Sequence, residues 1–234
     1  MHVDLEIKSL IYALLFGIIP ALIWLKFWLL EDRKRPEPRG RIFAAFIGGM
    51  IIVPIAIFLE RMMVPEGINI NTLPAKIIIG WSVIEEFLKY GASWVLVLRT
   101  KDYNEPIDPM IYLITTALGF AAMENALFVL EPIQNGLLLQ SIITGNMRFI
   151  GATLLHVLAS GTLGAAIAFS FYRNNFVKGR FLWAGLILAV SLHALFNFFI
   201  IKSTNIGIFL VFGTVWILVI FMILIFEKVK AIKK

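Results

Sequence analysis

Long apolar runs separated by short polar connections make up almost the whole chain. Seven runs are long enough to cross a bilayer as a helix, which takes about 20 mostly apolar residues. They cover roughly Ile7–Leu29, Ile42–Met63, Ala75–Leu98, Met110–Glu131, Met147–Phe171, Phe181–Ile201 and Ile206–Phe226. None alternates with a period of two, so a membrane β-barrel is not expected. The pattern predicts an all-α, polytopic transmembrane bundle of about seven spans, forming a single domain over residues 1–234 with no internal repeat.

The apolar pattern is broken in a selective way. Glu85, Glu86 and Lys89 fall inside the third run, Glu124 inside the fourth, His156 inside the fifth and His193 inside the sixth. A charge at the centre of a membrane helix costs roughly 2.5–3.5 kcal/mol on insertion scales, so such residues mark sites rather than filler. Six of them in four runs point to one polar centre built inside the membrane.

Composition agrees with the pattern. Hydrophobic residues are 60% of the chain and charged residues 15%, against about 45–50% and about 25% in soluble domains. There is no cysteine, which excludes disulfides and thiolate chemistry. The net charge of +6 comes largely from basic residues in the connections and at the C-terminus, so it reads as membrane topology and not as a nucleic-acid surface. The first run has Asp4 and Glu6 before it and no small-residue cleavage site after it, so a membrane helix is expected there and not a removable signal peptide.

Topology follows from the same basic residues. Fourteen Lys and Arg fall in alternate connections counted from the first, among them Arg33, Lys34, Arg173 and Lys234; four (Lys8, Arg61, Lys76, Lys202) fall on the other side. The bias predicts an external N-terminus and a cytoplasmic C-terminus. With a rise of ~1.5 Å per residue, Glu85 then lies ~15 Å from the outer end of its span, Glu124 ~10 Å, His156 ~14 Å and His193 ~12 Å. Four helices running in alternating directions bring their ionisable groups to nearly one level, in the outer half of the bilayer.

The spacing suggests chemistry. Glu85 and Lys89 are four apart and Glu86 and Lys89 three apart, so all three share a helical face. A lysine can hold one carboxylate ionised while its neighbour acts as a base, since crowding splits their proton affinities. A structural ion pair would use the same spacing. Glu124 precedes Asn125 and admits three roles: metal ligand, proton carrier or hydrogen-bond partner. His156 shares a face with Ser160 and Gly164, and His193 with Asn197. Histidine can ligate a metal, and histidine and asparagine can both donate to an oxyanion. The His-Glu-x-x-His and Gly-x-Ser-x-Gly signatures are absent, and no Asp pair lies at mid-membrane.

At these residues the chain resembles the PrsW family of intramembrane proteases, part of the superfamily that contains CAAX-prenyl endopeptidases and bacteriocin-processing enzymes. The resemblance runs from about Trp28 to Phe198. It rests on Asp32 with Pro36-Glu37-Pro38, on Glu85-Glu86-x-x-Lys89, and on Asn104-Glu105-Pro106-Ile107-Asp108. It continues with Gly119-Phe120-Ala121 through Glu124-Asn125, His156-x-x-x-Ser160 with Gly164, and His193-x-x-x-Asn197. It implies a multi-pass cell-membrane endopeptidase acting on a membrane-anchored protein, with the first, extracytoplasmic cut of an anti-sigma factor as the family's best-known role. It implies Glu85 and Glu86 as the essential glutamate pair, Glu85 activating water, and His193 with Asn197 stabilising the oxyanion. Lys89, Asn125 and Ser160 are expected to support the site. A divalent metal such as zinc, if used, is expected on Glu124, His156 and His193. The partners are then a tethered protein substrate and the lipid bilayer, with no nucleic acid. Two other classes fit the same residues: a proton- or cation-coupled transporter, which usually shows repeats and interrupted helices, and a scaffold with buried ion pairs.

Overall fold

The computed structural model describes residues 2–32, 35–68, 72–202 and 205–233. Arg33, Lys34 and Lys234, which enter the topology argument, lie outside the described residues. Among those described, the chain is helical throughout and contains no strand. The elements are α1 (His2–Leu29, prolonged by a 3-10 turn Leu30–Asp32), α2 (Arg39–Met63), α3 (Ala75–Ser93), α4 (Asp108–Gln134), α5 (Leu138–Met147), α6 (Thr153–Phe169), α7 (Asn175–Lys202) and α8 (Asn205–Lys230). A π-helical turn extends α3 over Trp94–Leu98, and another, Arg148–Ala152, joins α5 to α6 without a break.

Six helices are long and apolar enough to cross a membrane: Glu6–Asp32, Arg39–Met63, Asp108–Gln134, Leu138–Phe169, Asn175–Lys202 and Ile206–Lys230. The seventh expected span, Ala75–Leu98, is helical over its full length but carries Glu85, Glu86 and Lys89 in its middle. The helix expected to start near Met147 begins at Leu138, because the π turn carries the chain through without a stop.

The packing explains where those charges go. In α4 and in Leu138–Phe169, 72% of the most apolar stretch is buried, against 17–33% in the other four spans. These two helices are the centre of the bundle, and α4 packs on α6. Helices α1 and α2 cover the outer side of α4, α7 and α8 cover α6, and α3 sits between α2 and α7 while touching α4 and α6. Helices α2, α3, α7, α6 and α4 thus close a ring, and the polar residues face its inside.

Small residues set the spacing of that ring. A Cβ on Gly119 would lie 1.9 Å from the carbonyl oxygen of Phe46, and one on Gly49 would lie 2.0 Å from that of Thr116. Backbone therefore meets backbone across α2 and α4, a contact that only glycine permits. Gly119→Ala is expected to force the helices apart and lower stability by about 1–3 kcal/mol, the usual cost of overpacking. Gly40→Ala, where a Cβ meets nothing within 4 Å, is expected to be neutral. Thermal unfolding of the two variants in detergent checks this.

Candidate active site

Helix α3 projects Glu85, Glu86 and Lys89 into the ring, as their spacing predicts. Lys89 Nζ donates to Glu85 Oε2 at 3.1 Å and to Glu86 Oε1 at 2.9 Å. It also stands 2.8 Å from His156 Nδ1 and 4.3 Å from the centre of the Phe120 ring. A lysine that is 1% exposed survives in an apolar bundle because two carboxylates and a ring nitrogen take its three protons.

The two carboxylates have different surroundings. Glu86 is fully enclosed: it accepts from Lys89, from His193 Nδ1 at 2.8 Å and from Ser160 Oγ at 3.4 Å. Glu85 lines a cavity of about 430 Å³ and uses only Oε2 towards its neighbours. Oε2 lies 3.8 Å from both His156 Nδ1 and His193 Nε2. The base expected at Glu85 is thus the member of the pair that meets the cavity.

Each histidine is held at its far nitrogen by a carboxylate. His156 Nε2 donates to Glu124 Oε2 at 2.9 Å, and His193 Nδ1 donates to Glu86. These partners leave the lone pairs of His156 Nδ1 and His193 Nε2 turned towards Glu85. The rings meet edge-to-face with centroids 5.1 Å apart. Glu124 is drawn away from that convergence by Arg148, whose Nη2 is 2.6 Å from Glu124 Oε2. Arg148 Nε in turn donates to Asn125 Oδ1 at 2.6 Å, and Asn125 Nδ2 donates to Thr153 Oγ1 at 2.9 Å. Asn125 thus acts on Glu124 through Arg148, the first residue of the π turn.

Glu85, His156 and His193 are the group among the described residues whose donor atoms all lie within 4.8 Å of one another. This set differs from the expected Glu124, His156 and His193: Glu85 takes the position of Glu124, which instead binds the outer nitrogen of His156. The donors fit a metal. Two imidazoles and one carboxylate form the three-ligand set of catalytic zinc sites. Both rings also carry the outer carboxylate that metal-binding histidines ordinarily have. Lys89 donates to the same His156 Nδ1, so its ammonium and a metal ion compete for that lone pair.

Asn197, one turn beyond His193, lines the cavity, and its amide has no hydrogen bond among the described residues. The cavity also contains two residues that the sequence reading passed over, Glu60 of α2 and Trp81 of α3. Trp81 Nε1 donates to the Glu60 carbonyl at 3.3 Å. Glu60 sits near the end of its run and has no charged residue on its helical face to draw notice. Its only sequence signal is an acid one turn inside an apolar stretch.

The remaining motif residues gather at the opposite end of the bundle. Asp108 Oδ2 accepts the backbone N–H groups of Asn104 and Glu105 at 2.6 and 2.7 Å. Glu37 accepts from Tyr112 and lies against Asp108. Burial, then Asp108, push Glu37 up from 4.5 to about 8. Its folded form holds a proton that the unfolded chain releases near 4.5. The stabilisation is therefore full below that pH and disappears as pH rises through about 8. Glu37→Gln is expected to flatten the fall in thermal stability between about pH 5 and 8, which a series of melts across that range would read.

A helical membrane bundle with a carboxylate, two carboxylate-backed imidazoles and a free amide around one cavity has the make-up of an intramembrane hydrolase. Residues 37–225 match the PrsW family of intramembrane metalloproteases, and the chain belongs to that family. The protein named Protease PrsW of Geobacillus kaustophilus is 25% identical over 197 residues, covering 83% of this chain and 82% of that protein. The Clostridioides difficile protein of the same name is 28% identical over 190 residues (79% and 77%), and the Bacillus subtilis one 25% over 193 (81% and 83%). No solved structure matches the chain. It is thus a membrane protease, and its helices span the membrane several times.

Proposed function

We propose that this protease cuts a membrane-tethered protein on the extracytoplasmic side, in the manner of a site-1 cut in an anti-sigma factor, with its N-terminus outside and its C-terminus in the cytoplasm. The observation that carries the reading is the one-sided access of the glutamate pair: Glu85 faces the cavity while Glu86 is sealed behind it. Glu85 takes the proton of the attacking water. Glu86 holds His193 and Lys89 in place. Asn197, on the wall of the cavity, donates to the developing oxyanion, while His193, whose Nδ1–H is taken by Glu86, offers its Nε2 lone pair to the centre. Glu85, His156 and His193 would hold a divalent ion such as zinc. Such an ion supplies a bound water of lowered pKa and polarises the scissile carbonyl. Glu124 orients His156, and Arg148 with Asn125 orients Glu124. The outer location is supported by the basic residues of the connections. The cavity occupies the half of the bundle where α2, α4 and α7 end and α3, α6 and α8 begin.

The test is cleavage of a membrane-anchored anti-sigma factor by the purified protein in proteoliposomes, with its soluble domain on either face. Release only of the domain joined on the side opposite the C-terminus is expected. A C-terminal reporter that is active only outside the cell would overturn the orientation. Failure to cut any tethered anti-sigma factor, while other tethered proteins are cut, would overturn the substrate.

A further inference from the structure

Every acid of the catalytic cluster has an internal partner: Glu85 and Glu86 have Lys89, and Glu124 has Arg148 and His156. Glu60 lines the same cavity and accepts no hydrogen bond from any described residue. Its Oε1 is closed off from solvent, while the residue is only partly buried, so its other oxygen remains open to the cavity. A buried acceptor left unsatisfied costs about 1–3 kcal/mol. The lining of the cavity is largely apolar, with Ile57, Leu127, Phe128 and Ile201 among its residues. Glu60 is also outside the group of donors that could share a metal ion. An occupant of the cavity can reach its open oxygen and supply the partner that the protein does not.

The position of Glu60 narrows what that occupant offers. The Trp81 indole ties to the Glu60 carbonyl, and Glu85 is one turn further along α3, ~6 Å at 1.5 Å per residue. Asn197 stands one turn from His193 towards the same end of the bundle. Glu60 on α2 therefore lies at a level of the cavity about a turn from Glu85. Extended peptide rises ~3.3 Å per residue, so that level corresponds to about two residues along a bound chain. A substrate helix must unwind for its peptide bond to be attacked. Unwinding in an apolar cavity frees backbone N–H groups that neither lipid nor wall can satisfy, at several kcal/mol each.

We propose that Glu60 is a substrate-binding residue that accepts a backbone N–H of the unwound segment, within about two residues of the scissile bond. This rests on the reading of the cavity as the peptidase site and adds a binding role to it. The ligand is the peptide backbone itself. Glu60 thus stabilises the unwound form of the substrate, whatever its side chains.

Amide-to-ester substitution tests it, because an ester keeps the chain but lacks the N–H. The probe is a synthetic single-span peptide cut by the wild-type protein in proteoliposomes, together with versions carrying one ester at each non-scissile position near the cut. An ester at one of those positions is expected to lower kcat/KM by about 5- to 100-fold, the range for losing one hydrogen bond at a desolvated carboxyl. Glu60→Leu is expected to lower kcat/KM on the all-amide peptide by a similar factor and to be indifferent to that same ester. Glu60→Gln, which keeps a carbonyl acceptor, should retain most of the rate. Wild-type cleavage insensitive to every ester, or a Glu60→Leu deficit that persists unchanged at every ester position, overturns the proposal. So does a deficit that follows side-chain identity. The ester series on wild type alone remains decisive if Glu60→Leu fails to fold. A wild-type protein that cuts no membrane-tethered peptide, at the same rate as Glu85→Gln, would sink the peptidase reading itself and this proposal with it.

Discussion

Glu85→Gln is expected to abolish cleavage of a tethered substrate, a loss of at least about 10²–10³ in rate, while leaving a folded, inserted protein. The amide has the volume of the carboxyl and still offers an oxygen to Lys89, which also keeps its 2.9 Å partner in Glu86. What disappears is the proton acceptor at the cavity wall and, with it, the carboxylate of the Glu85, His156 and His193 donor set, so bound metal should fall as well. Glu86→Gln should behave differently in one respect. Glu86 is sealed and holds Lys89, His193 and Ser160 together, so neutralising it unbalances a buried ion pair. Breaking such pairs costs about 3–5 kcal/mol. Activity and melting temperature should therefore fall together for Glu86→Gln, and activity without melting temperature for Glu85→Gln. Parallel melts and proteoliposome assays separate the two. Wild-type rates in Glu85→Gln would remove it from the mechanism. Unfolding of both variants, with no separable defect in rate, would favour the scaffold.

Much of this arrangement was legible in the chain because the bilayer is an unforgiving solvent. A soluble helix can carry a Glu-Glu-x-x-Lys run on a wet face, but a membrane helix must turn it inward. The polar residues of α3, α4, α6 and α7 therefore had to meet, and hydropathy with helical rise was enough to align them. The side of the ring each group faces was not legible. Whether Glu85 or Glu86 meets the cavity depends on the rotation of α3 against α7, which sequence spacing leaves open. The same holds for Glu124. Its pairing with Arg148 depends on the π turn Arg148–Ala152, and no local residue pattern distinguishes that turn from ordinary helix. Glu60 escaped because its significance lies in having no partner, and the absence of a partner is a tertiary property.

The histidines yield the other large effect. His156→Ala and His193→Ala each remove one of the three converging donors, Glu85, His156 and His193, and a catalytic site with two protein ligands instead of three does not retain its ion. Both variants are expected to lose bound divalent metal on purification and to lose cleavage by at least about 10²-fold. Glu124→Gln acts one step further out. It replaces the acceptor of His156 Nε2, 2.9 Å away, with a weaker one. Such outer-shell changes typically cost about 10- to 100-fold in metal affinity, so metal should be depleted but restored at higher concentration. Asn197→Ala should keep the metal and slow the reaction by about 10²–10³, since it removes an oxyanion donor and no ligand. Elemental analysis beside the cleavage assay separates the histidine variants, Glu124→Gln and Asn197→Ala from one another. Chelation should silence the wild type, and added zinc should bring it back. A chelated protein that is free of metal yet cuts at the full rate would reduce the site to Glu85, His193 and Asn197 acting on water alone.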